Sequence, residues 1–145
     1  MIKKLVSLLV ITASIFALAA SISAYGPSDP GKNSTISFSA GGTGYSSEQS
    51  AVLSNDGKYD CYLGSVKFVG IPTNIFPGSS TEIKCYTAVP STHNQAGKIA
   101  SFSTVGVGGS YQYKSGYGGT GSKYVMAAYS TYTSLGATVG VHWRA

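Results

Sequence analysis

The chain has 145 residues, with ten Lys and Arg against five Asp and Glu, two cysteines and 43% hydrophobic residues. That length fits a single domain with one core. A net charge of +5, two units of which come from Lys3 and Lys4, is mildly basic and no nucleic-acid footprint. Zinc takes four ligands, and the chain offers only its two cysteines and the scattered His93 and His142, so neither metal nor cofactor is expected.

Residues 1–24 read as a secretory signal peptide. Lys3 and Lys4 supply the positive start, residues 5–20 an uncharged apolar run, and Ile22-Ser23-Ala24 a small-residue cleavage site. The run is near the length of about 20 apolar residues that crosses a bilayer, but small residues crowd its end and no basic stop-transfer cluster follows. Without Lys3 and Lys4 the mature chain keeps eight basic side chains against five acidic ones, a net of +3. All five acids (Asp29, Glu48, Asp56, Asp60 and Glu82) lie before residue 83, and only Lys84, Lys98, Lys114, Lys123 and Arg144 lie beyond it. Solvated strand faces account for this asymmetry; a basic surface meeting an anionic partner would account for it too.

Residues 25–34, with Gly26, Pro27, Pro30 and Gly31, are expected to be a flexible leader, and the domain proper to occupy 35–145. Asn33-Ser34-Thr35 fits a glycosylation acceptor in cells that have the machinery. Residues 35–40 alternate, with Ile36, Phe38 and Ala40 on one face, before Gly41-Gly42-Thr43-Gly44 interrupts them. Residues 45–53 admit a short helical turn capped by Ser46 or Ser47, or a strand, and are read as a strand. Asn55-Asp56-Gly57 is a tight-turn signal expected to pair the region of Ala51 with residues 59–63. Gly64 suggests a bulge, after which Val66, Phe68 and Val69 continue the strand.

Pro72 and Pro77 make 71–80 a crossing loop, and residues 82–89 form the next strand, with Ile83, Cys85, Thr87 and Val89 inward. Residues 99–107 read as a central strand with both faces partly apolar, which Gly108-Gly109 turns into 111–113. A glycine loop containing Tyr117 leads to a strand at 123–132, and a turn at 133–136 leads to the last strand, where Ala137, Val139, Val141 and Trp143 share a face. These last two strands are expected to form a hairpin. The fold class is therefore all-β, a single antiparallel β-sandwich of about seven or eight strands, with a small closed barrel as the alternative.

Tyr59, Cys61 and Leu63 share one parity and Ile83, Cys85 and Thr87 another, so the only two cysteines are expected to face the core. In an exported chain such a pair, Cys61 with Cys85, is expected to be a disulfide. Reaction motifs are weak by comparison. Gly116-Tyr117-Gly118-Gly119-Thr120-Gly121 fits the dinucleotide fingerprint, but a strand pattern follows where a phosphate-binding loop requires a helix. No Gly-x-Ser-x-Gly elbow accompanies His93 or His142, and Asp56 with Asp60 reads as turn chemistry, so no enzyme is expected.

Tyrosines crowd the C-terminal half. Lys114, Tyr117, Lys123, Tyr124, Tyr132, His142 and Arg144 form a candidate binding face for a cell-wall glycan, an anionic surface or a protein. Residues 111–124 (YQYKSGYGGTGSKY) and 140–145 (GVHWRA) resemble the C-terminal hairpin of small secreted proteins of Gram-positive bacteria, which implies export from a bacterium and brings no activity with it. The expected function is a secreted or cell-surface, non-enzymatic binding domain. The alternative is a secreted, bacteriocin-like or membrane-active antimicrobial protein, suggested by the acid-free stretch and by its alternation, which resembles weak transmembrane β-hairpins.

Overall fold

The computed structural model describes residues 31–50 and 57–145; the expected signal peptide, the leader up to Pro30 and the turn at Asn55-Asp56 lie outside them. Among the described residues there are nine strands: β1 (Lys32–Phe38), β2 (Gly44–Tyr45), β3 (Gln49–Ser50), β4 (Lys58–Phe68), β5 (Ile83–Ala88), β6 (Ala100–Phe102), β7 (Val107–Gln112), β8 (Lys123–Ser130) and β9 (Ala137–Arg144). They form two antiparallel sheets, one ordered β1-β9-β4-β7, the other β2-β8-β5-β6 with β3 also on β8, and neither closes into a barrel. The count exceeds the expected seven or eight because an edge strand is split. Between Tyr45 opposite Ala127 and Gln49 opposite Tyr124 one extra residue enters, so β2 and β3 are two short contacts with one partner.

Apart from β2 to β3 and β5 to β6, each connection crosses from one sheet to the other, and this explains where the sequence reading fails. β4 has β7 on one edge and β9 on the other, so residues 59–63 have no free edge for the Ala51 region. β8 and β9 are no hairpin either: β8 pairs with β2, β3 and β5, and β9 with β1 and β4. The expected single strand at 99–107 is two strands in different sheets, separated by bends at 103–106 that end on Gly106 at φ 80°. Gly108-Gly109 lies inside β7 and makes no turn. A Cβ on Gly108 would fall 2.7 Å from the Cys61 carbonyl oxygen and 2.8 Å from Tyr62 Cα, so glycine is what lets β7 approach. The strand expected to begin at 35 begins at Lys32, because residues 32–34 find ladder partners in Trp143, His142 and Val141.

Other expectations hold. The β4 register shifts between Leu63 and Ser65, which makes Gly64 the extra residue of a bulge against β9. The inner faces of both sheets contribute to one core, with Ile36, Tyr59, Leu63, Phe68, Val139 and Trp143 from the first and Ile83, Met126 and Phe102 from the second. Trp143 is fully buried although it lies two residues from the end; its indole Nε1 donates to Ser34 Oγ at 3.0 Å, and its carbonyl accepts from Gln49 Nε2 at 3.3 Å. The last strand is held by β1 on one side and β4 on the other, so it does not fray.

Candidate functional site

The outer face of the first sheet is polar and internally paired. Asp60 on β4 stands opposite Arg144 on β9 and Ser110 on β7, and its carboxylate accepts from the Arg144 guanidinium and the Ser110 hydroxyl. Asp60 is only 8% exposed, so this pair works in a partly dried environment. In the neighbouring row His142 Nδ1 lies 2.9 Å from Asn33 Oδ1, and farther along Ser37 Oγ lies 2.9 Å from Thr138 Oγ1.

The outer face of the second sheet is aromatic. On β8 the outward residues include Val125, Ala127 and Tyr129; Tyr86 on β5 and Tyr45 on β2 both stand opposite Ala127, while Ala88 stands opposite Val125. Although they point away from the core, Ala88 and Ala127 are fully buried and Val125 nearly so, because Tyr45 and Tyr86 pack over them. Small side chains at these positions leave room for the rings to pack over the sheet.

His93 completes the surface. Its ring stacks on Tyr45 with centroids 3.8 Å apart and planes within 11°, and Tyr86 meets Tyr129 edge to face at 6.3 Å. His93 sits in a loop closed by its own N–H donating to the Val89 carbonyl at 2.8 Å and the Val89 N–H donating to the Asn94 carbonyl at 2.9 Å. Its φ of 57° is rare for a residue with a side chain and costs roughly 1 to 2 kcal/mol. The stack on Tyr45 helps to offset that cost. Burial, followed by hydrogen bonding and charge contact with Tyr45 and then by Tyr129, pushes the Tyr86 phenol up to about 12. The result is a patch of rings with hydroxyl edges, suited to apolar stacking combined with hydrogen bonding.

The seven residues of the expected binding face are not brought together. Tyr124 belongs to the core at 3% exposure, packed on Tyr113 with ring centroids 4.9 Å apart. Arg144 is committed to Asp60 and His142 to Asn33, both on the first sheet. Lys123, which opens β8, lies 3.7 Å from Glu48. Tyr132 follows the far end of the same strand, about 25 Å away at the rise of an extended chain. Lys114 and Tyr117 are exposed on the glycine loop, where the Tyr117 N–H donates to the Lys114 carbonyl at 3.1 Å. That loop leads into β8 and not into a helix, Gly118 packs against Tyr113, and its N–H donates to the Tyr124 hydroxyl at 2.7 Å.

Sequence reasoning missed Tyr45, Tyr86 and His93 as a group. The available signal was the apolar character of both parities in β8 (KYVMAAYS), which suggests a covered outer face.

Cys61 on β4 and Cys85 on β5 face one another from opposite sheets, fully buried and 4.3 Å apart, as two thiols without the expected bond. Contact with the Cys85 thiol, burial and the negative charges nearby, Asp60 among them, push the Cys61 thiol well up. Among the described residues no cluster of three or more His, Cys, Asp or Glu side chains is arranged to hold a metal ion, and no helix is long and apolar enough to cross a membrane. No protein-family model, curated protein or solved structure matches the chain.

Proposed function

We propose that this chain is an exported, non-enzymatic β-sandwich module that binds a cell-wall carbohydrate through the aromatic outer face of its second sheet. The observation that carries the reading is the Tyr45–His93 stack beside Tyr86 and Tyr129, laid on a floor of Ala88 and Ala127 outside the core. The carbon-bound hydrogens of a sugar ring pack well on flat aromatic surfaces, and its hydroxyls take hydrogen bonds from phenols and the imidazole edge. Lys84, held 3.0 Å from both Glu82 and Ser101 Oγ, adds a fixed polar rim on the same face. The ion pairs of Lys84, Lys123 and Arg144 weigh against a bare basic surface as the recognition element. In this reading the protein is extracellular or retained at the cell surface, and Cys61 and Cys85 are joined by a disulfide.

The test is co-sedimentation of the chain from residue 25 with insoluble peptidoglycan, with cellulose and chitin as comparators and anionic phospholipid vesicles as the rival surface. Retention on a polysaccharide that survives moderate salt is expected. Retention on the vesicles alone would replace this reading with the membrane-active one.

A further inference from the structure

Resting on the export reading, we infer that Cys61 and Cys85 are oxidised to a disulfide while the two sheets are still apart, so that the closed fold can neither make nor break this staple from outside. The two residues come from different sheets and from strands separated by the crossing loop 69–82, and both are wholly inaccessible. They meet only when the inner faces meet. Around them the packing is continuous: in register, Cys61 has Trp143 on one side and Gly109 on the other, and Cys85 has Ala128 and Ala100. Tyr59 closes the region further, its hydroxyl donating to the Lys98 carbonyl and reaching the Cys85 carbonyl at 3.4 Å.

The exchange needs an external disulfide, supplied in the compartment by a thiol oxidant and in the test tube by oxidised glutathione. One cysteine thiolate attacks a sulfur of that disulfide, forming a mixed disulfide and expelling one external thiolate. The second cysteine, deprotonated in turn, attacks the protein sulfur of the mixed disulfide and expels the other. Overall the two protein thiols lose two protons and two electrons, and the external disulfide gains them to become two thiols. In the closed fold neither step has an opening: the oxidant cannot reach either sulfur, and the raised Cys61 thiol supplies little thiolate. Oxidation therefore has to come first and closure second.

The bridge also places a disulfide beside the only tryptophan. A disulfide accepts an electron from excited indole, so the bridged protein is expected to fluoresce more weakly than the reduced one with Trp143 equally buried.

The experiment compares two histories of the same chain. Refolded with oxidised and reduced glutathione present, the protein is expected to lose two hydrogens in mass and to show no alkylatable thiol in denaturant. Two alkylatable thiols would overturn the bridge. Refolded reduced and then given oxidised glutathione, it is expected to oxidise more slowly than in denaturant by roughly a thousandfold or more, since reaction must wait for global opening. Equal rates would overturn the order of events. Should the reduced chain fail to refold, reduction of the bridged protein by dithiothreitol decides the same point: it should be slow until denaturant is added, and prompt reduction of the native protein would contradict the inference. Wall binding is read separately. Retention with both thiols free would sink the bridge alone, and a bridge without retention would sink the binding reading alone.

Discussion

The two sheets obey one alternation rule yet turn opposite kinds of surface outward. On the first, Asp60, Arg144 and Ser110 satisfy one another, as do His142 with Asn33 and Ser37 with Thr138. A face whose polar groups are already spent on each other has little left for a ligand. On the second, Tyr45, Tyr86, Tyr129 and His93 lie over alanine, with apolar ring surface and polar edges on the outside. The first face is thus bound up in its own pairings, and the proposed reading rests recognition on the rings of the second face, with Lys84 and Glu82 at its rim.

Breaking that contrast starts with the residue that serves both sheets. Trp143→Ala should destabilise by about 3 to 5 kcal/mol in chemical denaturation, because it empties a fully buried site. Next comes the polar face. Asp60→Ala leaves the Arg144 guanidinium, whose Nε is already enclosed without a partner, facing no carboxylate; a loss of about 2 to 3 kcal/mol is expected, with wall retention unchanged once the protein is folded. On the aromatic face the order of effects should invert: Tyr86→Ala should cost about 1 kcal/mol of stability, as for a half-buried ring, while removing most of the retention. Lys123→Ala should be nearly silent in both measurements, within about 0.5 kcal/mol, since its pairing with Glu48 is solvent-exposed.

Alkali sharpens the same comparison. Tyr86 is raised to about 12 by burial first and by Tyr45 next, while burial first, and neighbouring groups after it, push Tyr59 and Tyr113 higher still. A phenol whose folded value exceeds its unfolded value of about 10 favours the folded state below that pH. As pH rises from 10 the unfolded chain ionises and the folded one does not, so stability falls, and the Tyr86 contribution is lost by about 12. Phenolate absorbance should show Tyr86 titrating within the folded protein, with Tyr59 and Tyr113 appearing only on unfolding. A joint rise of all three near 10 would show that these phenols are not buried.

Much of the strand content was legible because inward residues recur with period two: Cys61 and Leu63, Ile83 and Cys85, Val139 and Trp143 all lie inside as alternation requires. Connectivity was not legible. Asp56-Gly57 carries a local hairpin preference, but the edges of β4 are filled by strands more than 40 residues away in sequence, and alternation is blind to which partner wins. Gly108-Gly109 reads as a turn because glycine permits one; in β7 it is Gly108 that matters, since a side chain there would strike Tyr62. The candidate site was hidden for a related reason. Val125 and Ala127 gave β8 two apolar faces, which reads as a strand buried between layers, whereas its outer layer consists of rings from β2, β5 and the loop carrying His93.

The most direct measurement is paired retention on insoluble wall polysaccharide of two folded variants, Tyr86→Ala and the double variant Lys114→Ala, Tyr117→Ala. Loss of one ring of the patch and its hydroxyl should weaken the first by roughly tenfold or more, the equivalent of about 1.4 kcal/mol, while the glycine-loop variant binds like the unaltered protein. Unchanged retention of Tyr86→Ala together with loss in the loop variant would contradict the assignment and move recognition to the glycine loop.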